Sequence, residues 1–133
     1  MQNLAYALTQ VAHNFGAVTV VAVPAYAVMG RGDALRRGSL IMILAGWGVQ
    51  IVSGVLFGLV SLFYYGQLPD IHGTAIGALI IKVVCAILAM VVVILSLRGQ
   101  VFSGRLASRM KWWLLVALGC VALTAAAFLR WFS

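Results

Sequence analysis

The chain has 133 residues, of which 65% are hydrophobic and only 8% charged, with a formal net charge of +7. A water-soluble domain of this size needs far more charge to cover its surface, so lipid is the solvent expected around most of it. In a soluble protein this basic balance would suggest nucleic acid, but here the basic residues fall mostly between apolar stretches, where orientation in a membrane accounts for them better.

Four apolar spans are readable in chain order, at about 4–29, 40–64, 73–97 and 112–131, each long enough to cross a bilayer as a helix. Short connections make neighbours in sequence antiparallel neighbours in space. The expected fold is therefore all-α: a single transmembrane domain over 1–133, built as an up-down four-helix bundle. The N-terminus lacks the basic start of a signal peptide, so the first span is expected to stay.

The connection after the first span carries Arg31, Arg36 and Arg37, and the one after the third carries Arg98, Arg105, Arg109 and Lys111. The connection between spans two and three, YGQLPDIHG, has no Lys or Arg. The positive-inside rule then places 30–39 and 98–111 in the cytoplasm and both termini outside, in the inner membrane of a bacterium. Trp112 and Trp113 are expected in an inner interfacial belt. Phe63, Tyr64, Tyr65, Trp131 and Phe132 are expected in an outer one.

Polar atoms inside the spans are few. In span one, Gln10, His13 and Asn14 share a helical face by their i, i+3, i+4 spacing, and Pro24 is expected to kink the helix. Span two carries Gly46, Gln50, Gly54 and Gly58 at intervals of four, a small-residue stripe that lets a second helix approach. Span three carries Lys82 on a face otherwise made of Ala75, Ala78, Ala86 and Ala89. Such a face permits either close helix packing or a flat ligand.

A lysine at that depth costs about 2.5–3.5 kcal/mol on insertion scales. There is no Glu in the chain, and the only acids, Asp33 and Asp70, lie between spans. His13 and Lys82 each sit about nine residues in from the same side, roughly 13–14 Å deep, with Gln50 slightly deeper. Spans one and three run the same way, so the two side chains reach one level. A neutral amine and a neutral imidazole are both lone-pair donors of the kind a metal centre uses.

Sixty-nine residues separate His13 from Lys82, Gly30 from Gly99 and Arg36 from Arg105, as a two-plus-two duplication would arrange them. Cys85 and Cys120 lie inside apolar spans without metal-ligand spacing and read as small hydrophobes. His72, beside Asp70, reads as a surface histidine, or alternatively as a second metal or docking point too far from Lys82 to share a ligand. The five methionines are scattered, which argues against copper.

At His13 in QVAHNFGAV and Lys82 in ALIIKVVCAIL the chain resembles the small four-helix membrane proteins of the HemJ-type protoporphyrinogen oxidase group and the CopD-type membrane proteins. The resemblance implies a b-type haem near that pair, and oxidation of a porphyrinogen as the reaction. His13 and Lys82 are then the candidate iron ligands, and the placement of the polar residues in the spans adds Gln10, Asn14 and Gln50 as candidate cofactor contacts. The chain departs from the HemJ-type pattern after the histidine, where Val20 and Val21 replace a tryptophan and Pro24 is followed by Ala25 rather than an arginine. Three functions follow as expectations. One is an electron-transfer protein that binds haem or serves a redox complex. Another is a non-catalytic subunit of a larger membrane complex, in contact with other membrane subunits, a second copy or a quinone. The third is a small transporter, for which the spans lack the usual carboxylate.

Overall fold

The computed structural model describes residues 2–31, 36–67, 72–99 and 105–132, and all of its regular structure there is helical. Helix α1 spans Gln2–Tyr26, α2 Arg36–Tyr65, α3 Thr74–Leu97 and α4 Arg105–Phe132, with one π-helical turn, Ala27–Arg31, after α1. Each helix contains a segment long and apolar enough to cross a membrane: Asn3–Met29 (including the π turn), Arg37–Tyr65, Thr74–Leu97 and Arg109–Trp131. These agree with the expected spans to within a few residues. The helices themselves begin earlier, because Arg36 and Arg37 open α2, and Arg105, Arg109 and Lys111 belong to the first turns of α4. Asp33 and Asp70 lie outside the described residues.

The helices form a four-membered ring. α1 packs most extensively against α2 and α3 against α4; the α1–α4 and α2–α3 seams are thinner. Both termini therefore lie at one end of the bundle, and the turns after α1 and α3 lie at the other. α2 and α3 end against Gly66 and Gly99, whose φ values of 68° place them in the left-handed region that closes helices. The Gly66 N–H reaches the Leu62 carbonyl at 2.9 Å, and the Gly99 N–H reaches that of Ser96 at 3.2 Å.

The core lies at the turn end. Val20 and Ala27 of α1 and its π turn meet Leu40, Ile43 and Trp47 of α2, Cys85, Ala86, Ala89 and Val93 of α3, and Trp112 and Leu115 of α4. Trp112 is thus a core residue and only Trp113 is exposed; the helix turn that separates them in direction splits the expected belt pair. At the terminal end Phe63, Tyr64, Tyr65 and Trp131 are exposed, as interfacial aromatics would be.

Three glycines set how closely the helices cross. A Cβ on Gly16 would stand 3.1 Å from the Gly46 carbonyl, and one on Gly46 3.1 Å from Thr19 and Val20. Gly119 of α4 presses on the Val20 carbonyl, where a Cβ would come within 3.0 Å. Pro24 explains that last contact. It lies within α1, and having no N–H it leaves the carbonyl four residues back without its usual donor. That carbonyl belongs to Val20. The GxxxG of α2 behaves otherwise: Gly54 and Gly58 would give a Cβ nothing within 4 Å.

At the sixty-nine-residue offset Gly16 and Cys85, Val20 and Ala89, Pro24 and Val93, Ile43 and Trp112, Gly46 and Leu115, Gln50 and Gly119, and Ser53 and Ala122 are buried in both members. Leu40, Trp47 and Ser61 are buried where Arg109, Val116 and Arg130 are not, so the offset relates part of the inward face and not all of it.

Candidate functional site

α1 and α3 stand at opposite corners of the ring, yet His13 and Lys82 touch across it. Lys82 Nζ lies 3.2 Å from His13 Nε2. Lys82 occupies the alanine stripe of α3, where Ala75, Ala78, Ala86 and Ala89 are all buried. Those small side chains turn the lysine inward and leave room for it to reach the diagonal helix. Both polar side chains remain partly exposed.

The other ring nitrogen is fixed from α2. His13 Nδ1 lies 2.6 Å from Ser53 Oγ. A serine hydroxyl carries one proton and can accept as well. The Ser53 hydroxyl also reaches the carbonyl of Val49, one turn earlier, and that of Gln50 at 3.3 Å. With the serine proton on a carbonyl, Nδ1 donates to Ser53 and Nε2 meets Lys82 with its lone pair; with that proton on Nδ1, Nε2 carries the ring proton toward the amine. Gln50 adds a clamp: its side-chain N–H donates to the backbone carbonyl of His13. With Gly16 against Gly46 one turn away, this sets the level of α1 against α2. The edge of Phe57 completes the wall, its ring centre 5.7 Å from that of His13.

The structure therefore brings together three of the five residues singled out in the sequence: His13, Lys82 and Gln50. Gln10 and Asn14 share a flank of α1 but are exposed, and the Gln10 amide donates to Asn14 Oδ1 at 2.9 Å. Their contact is with each other and not with the imidazole. Ser53 was missed. It stands three residues after Gln50, and the interval of four that picks out the glycine stripe skips it. The interval that faces α1 is instead Gly46, Gln50, Ser53, Phe57.

Away from this site, His72 is exposed just before α3, and its carbonyl accepts the Ala75 N–H at 3.2 Å. Lys111, expected in a loop, is buried with its ammonium 4.7 Å from the Trp112 ring centre. Cys85 is buried and Cys120 exposed, both as free thiols. A groove of about 540 Å³ runs between α3 and α4 at the terminal end, lined among others by Gly77, Ile81, Cys120 and Phe128. Among the described residues no three His, Cys, Asp or Glu side chains are grouped to hold a metal ion. Comparisons with models of known protein families, with curated proteins and with solved structures find no match to this chain.

Proposed function

We propose that this chain is a multi-pass protein of a bacterial inner membrane with an electron-transfer role, and that His13 is the point at which a b-type haem is held, in this chain or within a redox complex that it serves. The observation that supports this reading is the orientation of one imidazole. Nδ1 lies 2.6 Å from Ser53 Oγ, and Nε2 faces the middle of the bundle, 3.2 Å from Lys82; an iron held at Nε2 would take the place of that lysine contact. Metal-ligating histidines are generally fixed in this way through the nitrogen that does not bind metal. Haem iron is commonly held by histidine, and a bound haem would supply one-electron chemistry here.

His13 and Lys82 are directly hydrogen-bonded at 3.2 Å, so in this arrangement they do not hold a metal ion between them. In this proposal His13 is the ligand. Lys82 is a neighbour that supplies a positive or hydrogen-bonding group beside it. The resemblance to the HemJ-type and CopD-type proteins points the same way, and in this reading the basic connections 30–39 and 98–111 face the cytoplasm.

The test is an absorption spectrum of detergent-purified protein expressed with haem supplied. A Soret band is expected. His13→Ala abolishes it, and Lys82→Ala keeps it with a shifted maximum. A colourless preparation without iron overturns haem binding by this chain.

The exposed Gln10–Asn14 pair favours a second reading, as an accessory subunit. Two amides on the flank of a membrane span are polar groups that a neighbouring helix could satisfy. Co-purification of a further membrane subunit in mild detergent, lost in a Gln10→Leu/Asn14→Leu variant, is the expected result. Migration as a small homo-oligomer without other chains counts against it.

A further inference from the structure

One flank of α1 carries a line of residues at alternating intervals of four and three: Asn3, Ala7, Gln10, Asn14, Ala17 and Val21. That spacing is the seam along which two helices pack at a shallow crossing angle. At the turn end the chain covers the line itself. Val21 lies where a Cβ on Gly119 of α4 would come within 3.0 Å of it, and Ala17 is half-buried. Toward the terminal end Asn3, Ala7, Gln10 and Asn14 are all exposed. Asn14 is eleven residues into the span Asn3–Met29, roughly 16 Å from its end, and Gln10 roughly 10 Å. Both amides therefore lie inside the hydrocarbon, where an unsatisfied polar group is costly.

The pair is half satisfied. Gln10 Nε2 donates to Asn14 Oδ1 at 2.9 Å, and neither amide has another side-chain partner among the described residues. A primary amide has two N–H groups and one carbonyl oxygen. The bond within the pair leaves the N–H groups of Asn14 and the oxygen of Gln10 unused. Reversing the two amides leaves the N–H groups of Gln10 and the oxygen of Asn14 instead. Either way one member keeps a donor and the other an acceptor.

A second copy inserted in the same direction matches this remainder. A two-fold axis along the membrane normal sets its amide pair at the same depth, and donor meets acceptor in both directions. Each Asn14 then donates to the Gln10 oxygen of the other copy, and four amides close a ring of hydrogen bonds. Ala7, small and on the same line, lets the two α1 backbones approach. A helix of another protein would need its own matching amide or hydroxyl at this level; a copy of this chain brings one by symmetry.

We infer that the exposed flank of α1 carrying Ala7, Gln10 and Asn14 is the contact between two copies of this chain, a parallel α1–α1 dimer closed by the four amides. The inference does not rest on the electron-transfer reading, and it competes with the accessory-subunit reading for the same flank.

The full chain, carrying one fluorophore at its C-terminal end, is reconstituted in liposomes over a range of protein-to-lipid ratios and counted by single-molecule photobleaching. Two-step bleaching that gives way to one step on dilution is expected. Gln10→Leu/Asn14→Leu is expected to raise the dissociation constant at least about tenfold, as loss of two interhelical hydrogen bonds would. Gln10→Asn/Asn14→Gln keeps an amide at each position and recovers the dimer. Val52→Leu, on an exposed face of α2, leaves it unchanged. Oxidative cross-linking locates the contact in a Cys120→Ser background, where Cys85 stays buried. Ala7→Cys is expected to join two copies by a disulfide, and Val52→Cys is not. Each variant is first required to keep the helical circular dichroism of the parent. A parent that bleaches in single steps at every ratio overturns the inference. So does a dimer indifferent to the leucine pair or not recovered by the exchanged amides, and so does cross-linking at Val52 in place of Ala7. A different membrane subunit held by the parent and lost with the leucine pair also overturns it, and assigns the flank to another protein.

Discussion

The two ends of the bundle are built on different rules. At the turn end large side chains fill the space between four helices: Ile43, Val93 and Leu115 are fully buried, and Trp47 is 1% exposed. At the terminal end the inward faces of α2 and α3 carry mostly glycine, alanine and serine, with Phe57 packed against Tyr6 and His13 of α1, and the polar pair stands at the border between the two. Lipid tails are as apolar as the side chains, so helices in a membrane gain little from the hydrophobic effect and associate by packing and hydrogen bonds. A bundle of this kind is held where packing is dense. Where packing is sparse it can admit something else. Cohesion at one end is what leaves the other free to hold a lysine and a histidine in contact.

This division gives substitutions at the two ends unequal costs. Trp47→Ala opens a void at the centre of the packed end and is expected to cost about 3 kcal/mol, the low end for such a truncation because the transfer term is small in lipid. The midpoint of denaturant-induced unfolding in bicelles measures it. A cost no greater than that of a lipid-facing Leu→Ala would mean that cohesion lies elsewhere. At the border, Ser53→Ala removes the hydroxyl partner of His13 Nδ1 and is expected to cost about 1–2 kcal/mol. Ser53→Thr keeps the hydroxyl and recovers most of it. Equal loss in both variants would assign the effect to packing and not to the hydrogen bond.

Much of this was legible in the sequence, and the reasons are physical. Length and apolarity alone define a span, so the four helices and their approximate limits could be read directly. The level shared by His13 and Lys82 followed from counting residues at a fixed rise along parallel helices. Neighbours across the seams were harder. The Gly54–Gly58 motif reads as a contact, yet the close approaches lie at Gly16, Gly46 and Gly119, because a glycine states what is permitted and not which helix accepts it. Trp112 reads as an interfacial anchor next to Trp113, but two adjacent helical residues point about 100° apart, and one turns inward. Ser53 was hidden for a related reason. Its role exists only once α1 and α2 are paired.

The smallest effect is also the sharpest comparison, because the same change is made twice. Gly→Ala in a helix is favoured by about 0.4–1 kcal/mol when the new methyl meets nothing, since the unfolded chain loses freedom. At Gly54 a Cβ meets nothing within 4 Å, so Gly54→Ala is expected to stabilise by that amount. At Gly16 a Cβ would stand 3.1 Å from the Gly46 carbonyl and from the Gln50 amide nitrogen. The backbone of α2 must then retreat, the clamp on the His13 carbonyl is pushed away, and the propensity gain is reversed. Unfolding midpoints of the two variants are expected to move in opposite directions. A shift in the same direction for both would show that the two ends are packed alike.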